Sequence, residues 1–162
     1  MTRIAAVAVA MMLMAGAAVA QGTNIAFGGL KHDTSLPVEV ASDTLQIDQA
    51  DGSAAFSGNV LVTQGEMRLS AGAVRVVYAP GAGGQISELR ATGGVTLVNG
   101  AEAAEAREAV YSIDDGTVLM TGDVILTQGQ NALSSDTLTI DLNNGTGTLQ
   151  GRVRTVFQTG NN

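Results

Sequence analysis

The chain has 162 residues, enough for one domain with a real core, and sets 15 Asp and Glu against 8 Lys and Arg for a formal charge of -7. That balance excludes a basic surface for nucleic acid or an anionic membrane, so an anionic partner must be held by something other than bulk charge. The absence of cysteine excludes a disulfide-built scaffold, and an aromatic content of 3% calls for a core of Val, Leu, Ile and Ala.

Residues 1–20 read as a secretory signal peptide. Arg3 gives a weak positive start, Ile4 to Met14 is a short apolar run, and Ala18-Val19-Ala20 is a small-x-small cleavage site. Some ten apolar residues are too few to span a bilayer. Cleavage after Ala20, with no cysteine there for a lipid, places the mature chain in a compartment such as the bacterial periplasm and removes Arg3, leaving a charge of -8. Residues 21–36 are Gly-rich, lack periodicity and hold the only histidine, His32, so they read as a flexible leader with a solvated loop histidine. The domain spans residues 37–158, with a tail at 159–162. It opens at Pro37, whose missing N–H suits the start of an edge strand; Val38 and Val40 then face one way and Glu39 the other.

From there the chain repeats. FSGNVLVTQGEMRLS (Phe56 to Ser70) returns 64 residues later as MTGDVILTQGQNALS (Met120 to Ser134), and Ser42 to Val60 realigns with Ser135 to Val153 at nine of nineteen positions. Gly58, Gly93, Gly122 and Gly151 each stand two residues before a valine (Val60, Val95, Val124, Val153), which marks four units of about thirty residues. Pro80 to Gly84 reads as an inserted loop. Alternating runs separated by Asp51-Gly52, Asp115-Gly116 and Asn144-Gly145 are hairpins. Ala101 to Val110 has good helix propensity, but the repeat register places Ala109 and Tyr111 at strand positions.

Parity collects one apolar face. The first unit gives Val38, Val40, Leu45, Ile47, Phe56, Val60, Val62, Met67 and Leu69. The second gives Val74, Val76, Tyr78, Leu89, Ala91, Val95 and Leu97. Ala109, Tyr111, Ile113, Val118, Met120, Val124, Leu126 and Leu133 follow in the third, and Leu138, Ile140, Leu142, Leu149, Val153 and Phe157 in the fourth. One apolar face and one wet face predict an all-β, antiparallel, folded-over sheet or sandwich of stacked units rather than a βα fold. Parity alone leaves open whether that face is a packed core or a groove. The Asp residues recurring at turns (Asp48, Asp51, Asp114, Asp115, Asp141) read as turn chemistry, since the nonapeptide of calcium-binding β-rolls is missing. Gly81 to Gly84 precedes no helix and no Lys-Ser/Thr, so it is not a phosphate loop. No catalytic constellation, metal site or cofactor site is expected.

Pro37 to Tyr78, PVEVASDTLQIDQADGSAAFSGNVLVTQGEMRLSAGAVRVVY, closely resembles the OstA/LptA family of periplasmic lipopolysaccharide-transport domains, and the similarity continues through Tyr111 to Thr127. The resemblance covers about 120 residues. It implies a slightly twisted antiparallel β-jelly roll, V- or U-shaped and open on one side, with no enzymatic activity. The apolar face then becomes a groove for the acyl chains of lipid A, lined by Val38, Val40, Phe56, Val60, Val62, Met67, Leu69, Val76, Tyr78, Leu97, Tyr111, Ile113, Met120, Val124, Leu126, Leu138 and Ile140. Val38 and Val40 at one end, and Val153, Thr155 and Phe157 at the other, would be edge strands that dock the homologous domains of LptC and LptD, or further copies head to tail. The alternative reading is a structural β-repeat protein with a packed core and no lipid cargo.

Overall fold

A computed structural model describes residues 23–26, 30–81 and 83–158; the expected signal peptide, its cleavage point and the tail lie outside these. Period-two alternation becomes strand throughout, in chain order β1 (Thr23–Ala26), β2 (Glu39–Ala41), β3 (Thr44–Asp48), β4 (Ser53–Gln64), β5 (Met67–Tyr78), β6 (Ile86–Thr92), β7 (Val95–Asn99), β8 (Glu102–Ala106), β9 (Glu108–Ser112), β10 (Thr117–Gln128), β11 (Asn131–Asp141), β12 (Thr146–Gln150) and β13 (Arg154–Val156). The helix-prone stretch 101–110 is β8 and most of β9. All pairings are antiparallel within one thirteen-stranded sheet.

The sheet is creased along a single line. At Gly58-Asn59, Gly93-Gly94, Gly122-Asp123 and Gly151-Arg152 both residues have positive φ, among them the non-glycines Asn59 (47°), Asp123 (48°) and Arg152 (46°). Two left-handed residues in succession break the ladder and turn the strand, as a bulge does. The registers of β4 on β5 and of β10 on β11 accordingly skip at Ser57/Val60 and Thr121/Val124. The intervening strands meet this line at Asp43, Gly72, Arg107 and Asp136. Asp43 N–H donates to Gly58 O at 2.9 Å, Arg107 N–H to Gly122 O at 3.0 Å and Asp136 N–H to Gly151 O at 2.8 Å.

The crease divides the sheet into two leaves. One runs β3, residues 53–57 of β4, 73–78 of β5, β6, β9, 117–121 of β10, 137–141 of β11, β12 and β1. The other runs β2, residues 60–64, 67–71, β7, β8, 124–128, 131–135 and β13. Their inner faces close on one another: Val60, Val62, Leu69 and Leu126 on the second leaf and Val76, Leu89, Met120 and Ile140 on the first are at most 2% exposed. The Tyr111 hydroxyl of the first leaf donates to Gln64 Oε1 of the second at 2.8 Å across this interior.

The leader departs from the sequence expectation. It is not loose along its length, for Thr23–Ala26 pair with β12 and Leu30 is only 2% exposed. An edge strand offers unpaired backbone groups to any extended segment, so joining it requires no side-chain periodicity.

The crease makes a mutational prediction. A Cβ on Gly58 would lie 2.9 Å from Asp43 Cβ, whereas one on Gly52, also at positive φ, meets nothing within 4 Å. Gly52→Ala should cost about 1–2 kcal/mol from backbone strain alone, and Gly58→Ala at least about 1 kcal/mol more, as urea unfolding followed by circular dichroism would measure.

Candidate functional site

Among the described residues, the inner face carries the buried apolar cluster that runs through all four units. Of the expected lining residues, Val60, Val62, Met67, Leu69, Val76, Leu97, Tyr111, Met120, Val124, Leu126, Leu138 and Ile140 are buried, while Val38, Val40, Phe56 and Ile113 are half-buried. The face is exposed chiefly at the N-terminal end of the first leaf. There Leu45 and Ile47, opposite Phe56 and Ala54 on the inner side, are 50% and 66% exposed, and Tyr78 is 37% exposed. β3 has no earlier rung to cover it, and Tyr78 lies at the rim end of β5. The C-terminal end is bare in the same way: Val153, at the position of the buried Val60, Val95 and Val124, is 39% exposed and Phe157 is 70% exposed. Thr155 stands opposite the inward Leu133 on the last strand of the second leaf. β2 and β13 end the second leaf, and β12, the last strand of the first leaf, is covered by β1.

Three features of the inner face were missed. Inward parity carries Gln64, Asn99 and Glu102 at the rim of the second leaf, all at most 5% exposed. The signal was in the sequence, since Thr63-Gln64-Gly65, Val98-Asn99-Gly100 and Thr127-Gln128-Gly129 recur at the hairpin tips and place a polar side chain at the end of each inner row. Gln128 Nε2 donates to Glu102 Oε1 at 2.8 Å, while Asn99 Nδ2 and Glu102 Oε2 have no partner.

The second feature is a strap. Residues 30–36 cross from one rim to the other: His32 N–H donates to Leu142 O of the first leaf at 2.9 Å, and Gln64 Nε2 of the second donates to Thr34 O at 3.0 Å and Leu36 O at 2.8 Å. Leu30 is its buried anchor. His32, read as a solvated loop histidine, is instead half-buried, with Nε2 shut off from solvent and unpartnered. The third is the Tyr111–Gln64 bond itself, which joins the strap's latch to the opposite leaf. Burial of the phenol raises Tyr111 to about 12, against a smaller opposing effect of the bond to Gln64.

Three of the turn carboxylates, Asp48, Asp51 and Asp141, make local bonds, and Asp48 Oδ1 accepts from Ala50 N–H. Asp51 Oδ1 accepts from Ser53 N–H and Oγ–H, and these bonds, with Arg75 nearby, lower its pKa. Asp141 Oδ1 accepts from the N–H groups of Asn143 and Asn144, which lowers it likewise. This is the turn chemistry the sequence indicated.

A creased, two-leaved antiparallel sheet with an aliphatic interior defines an all-β jelly roll. Residues 39–146 match the family described as LptA/(LptD N-terminal domain) LPS transport protein, and the chain belongs to that family. It is 32% identical over 152 residues to an uncharacterized protein of Rhizobium meliloti (strain 1021), covering 88% of this chain and 82% of that one. Its fold is similar to the crystal structure of LptH, described as the LptA homologous periplasmic component of the conserved lipopolysaccharide transport device from Pseudomonas aeruginosa. The TM-score is 0.69 at 17% identity, over 78% of this chain and 99% of that one.

The buried phenol gives a pH test. A tyrosine whose folded pKa is raised contributes stability that is present below about 10 and is lost as pH rises through about 12. Tyr111→Phe leaves Gln64 Oε1 without its donor and should cost about 1–3 kcal/mol at neutral pH. The gap to the parent should narrow between pH 10 and 12, as chemical denaturation across that range would record.

Proposed function

We propose that the chain is a periplasmic carrier that shelters the acyl chains of lipopolysaccharide against its inner face and forms part of a bridge from the inner to the outer membrane. The observation that supports this reading best is the aliphatic inner face itself. It is continuous across every rung, and it opens to solvent at Leu45, Ile47 and Tyr78 rather than ending in a polar cap. Membership of a lipopolysaccharide-transport family supports lipopolysaccharide as the cargo class, and the signal peptide expected from the sequence supports the compartment.

The physics favours holding the chains rather than the phosphates. An acidic protein repels an anionic headgroup, whereas each buried CH₂ contributes about 0.8 kcal/mol, so a chain of about fourteen carbons is worth on the order of 10 kcal/mol. Passage through water is then prohibitive and an apolar lining suffices. Most lining side chains fill the space between the leaves, so the chains enter where the inner face is already bare, by parting aliphatic side chains. The bare ends of both leaves suit head-to-tail contact with homologous domains such as those of LptC and LptD, or with a second copy.

One observation favours a structural β-repeat protein instead, namely the near-complete burial of Val62, Leu97 and Leu126. Photo-crosslinking separates the two. A photoreactive residue at Ile47, Phe56 or Tyr78 should capture lipopolysaccharide, and one at Leu97 or Leu126 should do so once cargo is loaded. Leu61 and Leu119, apolar and exposed but on the outer side, should not. Equal labelling of both faces, or none at all, would leave the structural reading.

A further inference from the structure

We infer that β1 is a resident occupant of a docking edge, and that a second copy of this chain adds its own β3 to β12 only after β1 has left, so that docking is an exchange of strands.

The sheet alternates two kinds of strand along its first leaf. One kind enters from the crease at Asp43, Gly72, Arg107 or Asp136 and supplies β3, the end of β5, β9 and the end of β11. The other kind carries the left-handed pair and supplies the start of β4, β6, the start of β10 and β12. The last strand, β12, is of the second kind, so the next position calls for a strand of the first kind. β1 fills it with four paired residues, Thr23 opposite Leu149 through Ala26 opposite Thr146. It thus runs from crease to rim, antiparallel to β12, in the direction and place that a following strand of the first kind would take.

β3 is such a strand, and it is free. Its sequence Thr44-Leu45-Gln46-Ile47-Asp48 repeats the Thr137-Leu138-Thr139-Ile140-Asp141 that already pairs with the other edge of β12. It pairs with β4 alone, all five of its residues are exposed, and Leu45 and Ile47 present apolar surface on the inner side. β2 stands to β13 as β3 stands to β12, so a second copy placed this way continues both leaves and the crease together.

Charge fits the same arrangement. Glu39, Asp43 and Asp48 are exposed at the N-terminal end, with no Lys or Arg between residues 38 and 50; Arg152 and Arg154 are exposed at the C-terminal end, with no acid between residues 150 and 158. Within the chain, Gly94 N–H donates to Arg107 O across the crease at 3.2 Å, and Arg152 ion-pairs with Asp136 on its near side. Asp43 of a second copy would fall on the far side of Arg152. It would take up both relations there, its carbonyl facing Arg152 N–H and its carboxylate facing the guanidinium.

This deepens the bridging role proposed above, and rests on it only for the choice of partner. The exchange is tested on the mature chain, which has no native cysteine. Asn24→Cys with Thr148→Cys, at paired positions of β1 and β12, ties the resident strand down when oxidised and releases it when reduced, with the bridge verified by mass spectrometry. Sedimentation velocity should show that the reduced protein associates at concentrations at least about tenfold lower than the oxidised one. Asn24→Pro with Ile25→Pro, which removes backbone donors from β1, should associate more tightly than the parent. In that background Asp43→Arg alone or Arg152→Asp alone should lose association by at least about tenfold, and an equimolar mixture of the two should regain it. Equal association of locked and unlocked protein, or indifference to both charge reversals, would overturn the exchange. Lipopolysaccharide binding measured on the locked monomer reports the cargo reading separately.

Discussion

Everything in this protein depends on one line of left-handed residues. A thirteen-stranded sheet with a single apolar face has nothing to pack against unless it closes on itself. Here no second sheet and no helix among the described residues does that work. Two successive residues at positive φ in every unit turn the chain at the same height, within β4 and β10 and between β6 and β7 and β12 and β13, and carry it from the first leaf to the second. The conformation is costly for Asn59, Asp123 and Arg152, which are not glycines. It persists because the neighbouring strand bonds to the glycine carbonyl beside it, and because Asn59 Nδ2 to Asp43 Oδ2 at 2.8 Å, Arg107 to Asp123 and Arg152 to Asp136 tie the outside of the bend. These ties are exposed and individually weak. Their value is in fixing where the crease falls.

Closure explains the distribution of burial. Rungs in the middle have neighbours on both sides, so Val118, Met120, Val124 and Leu126 are fully enclosed, whereas Leu45 and Ile47 at one end and Val153 and Phe157 at the other are bare. A stacked fold of this kind has no intrinsic stop, and its ends remain sticky unless something covers them. In this chain the strap and β1 cover part of what closure leaves: one joins the rims through Gln64 and Leu142, the other pairs with the last strand of one leaf. Both come from the segment with the least pattern.

Much of the fold was legible in the sequence because strands that bury one face must alternate and a duplicated unit must repeat. The strands, the hairpin turns and the positions of Gly58, Gly93, Gly122 and Gly151 were all readable. A bend at Gly58 and Gly122 was readable too, but not that the four bends line up into one crease, because spacing gives position along the chain but not the sense of a turn. Parity identified the inner face, yet Leu45 and Ile47 read the same as Leu138 and Ile140. Only the absence of a neighbouring rung separates them. Gln64 and Asn99 were passed over because a polar residue at inward parity looks like the end of a strand rather than a latch within it. β1 could not be read at all, since an added edge strand is recognised by its backbone.

A carrier role requires that the inner face take acyl chains out of water. The direct measurement uses lipopolysaccharide carrying a fluorophore at the end of one acyl chain, titrated with iodide as an aqueous quencher with and without the protein in excess. Shelter against the inner face predicts that quenching drops severalfold when the protein is added. Quenching should return when an arginine replaces Phe56 or Ile47, neither of which is fully buried. Quenching that is unchanged by the protein would contradict it.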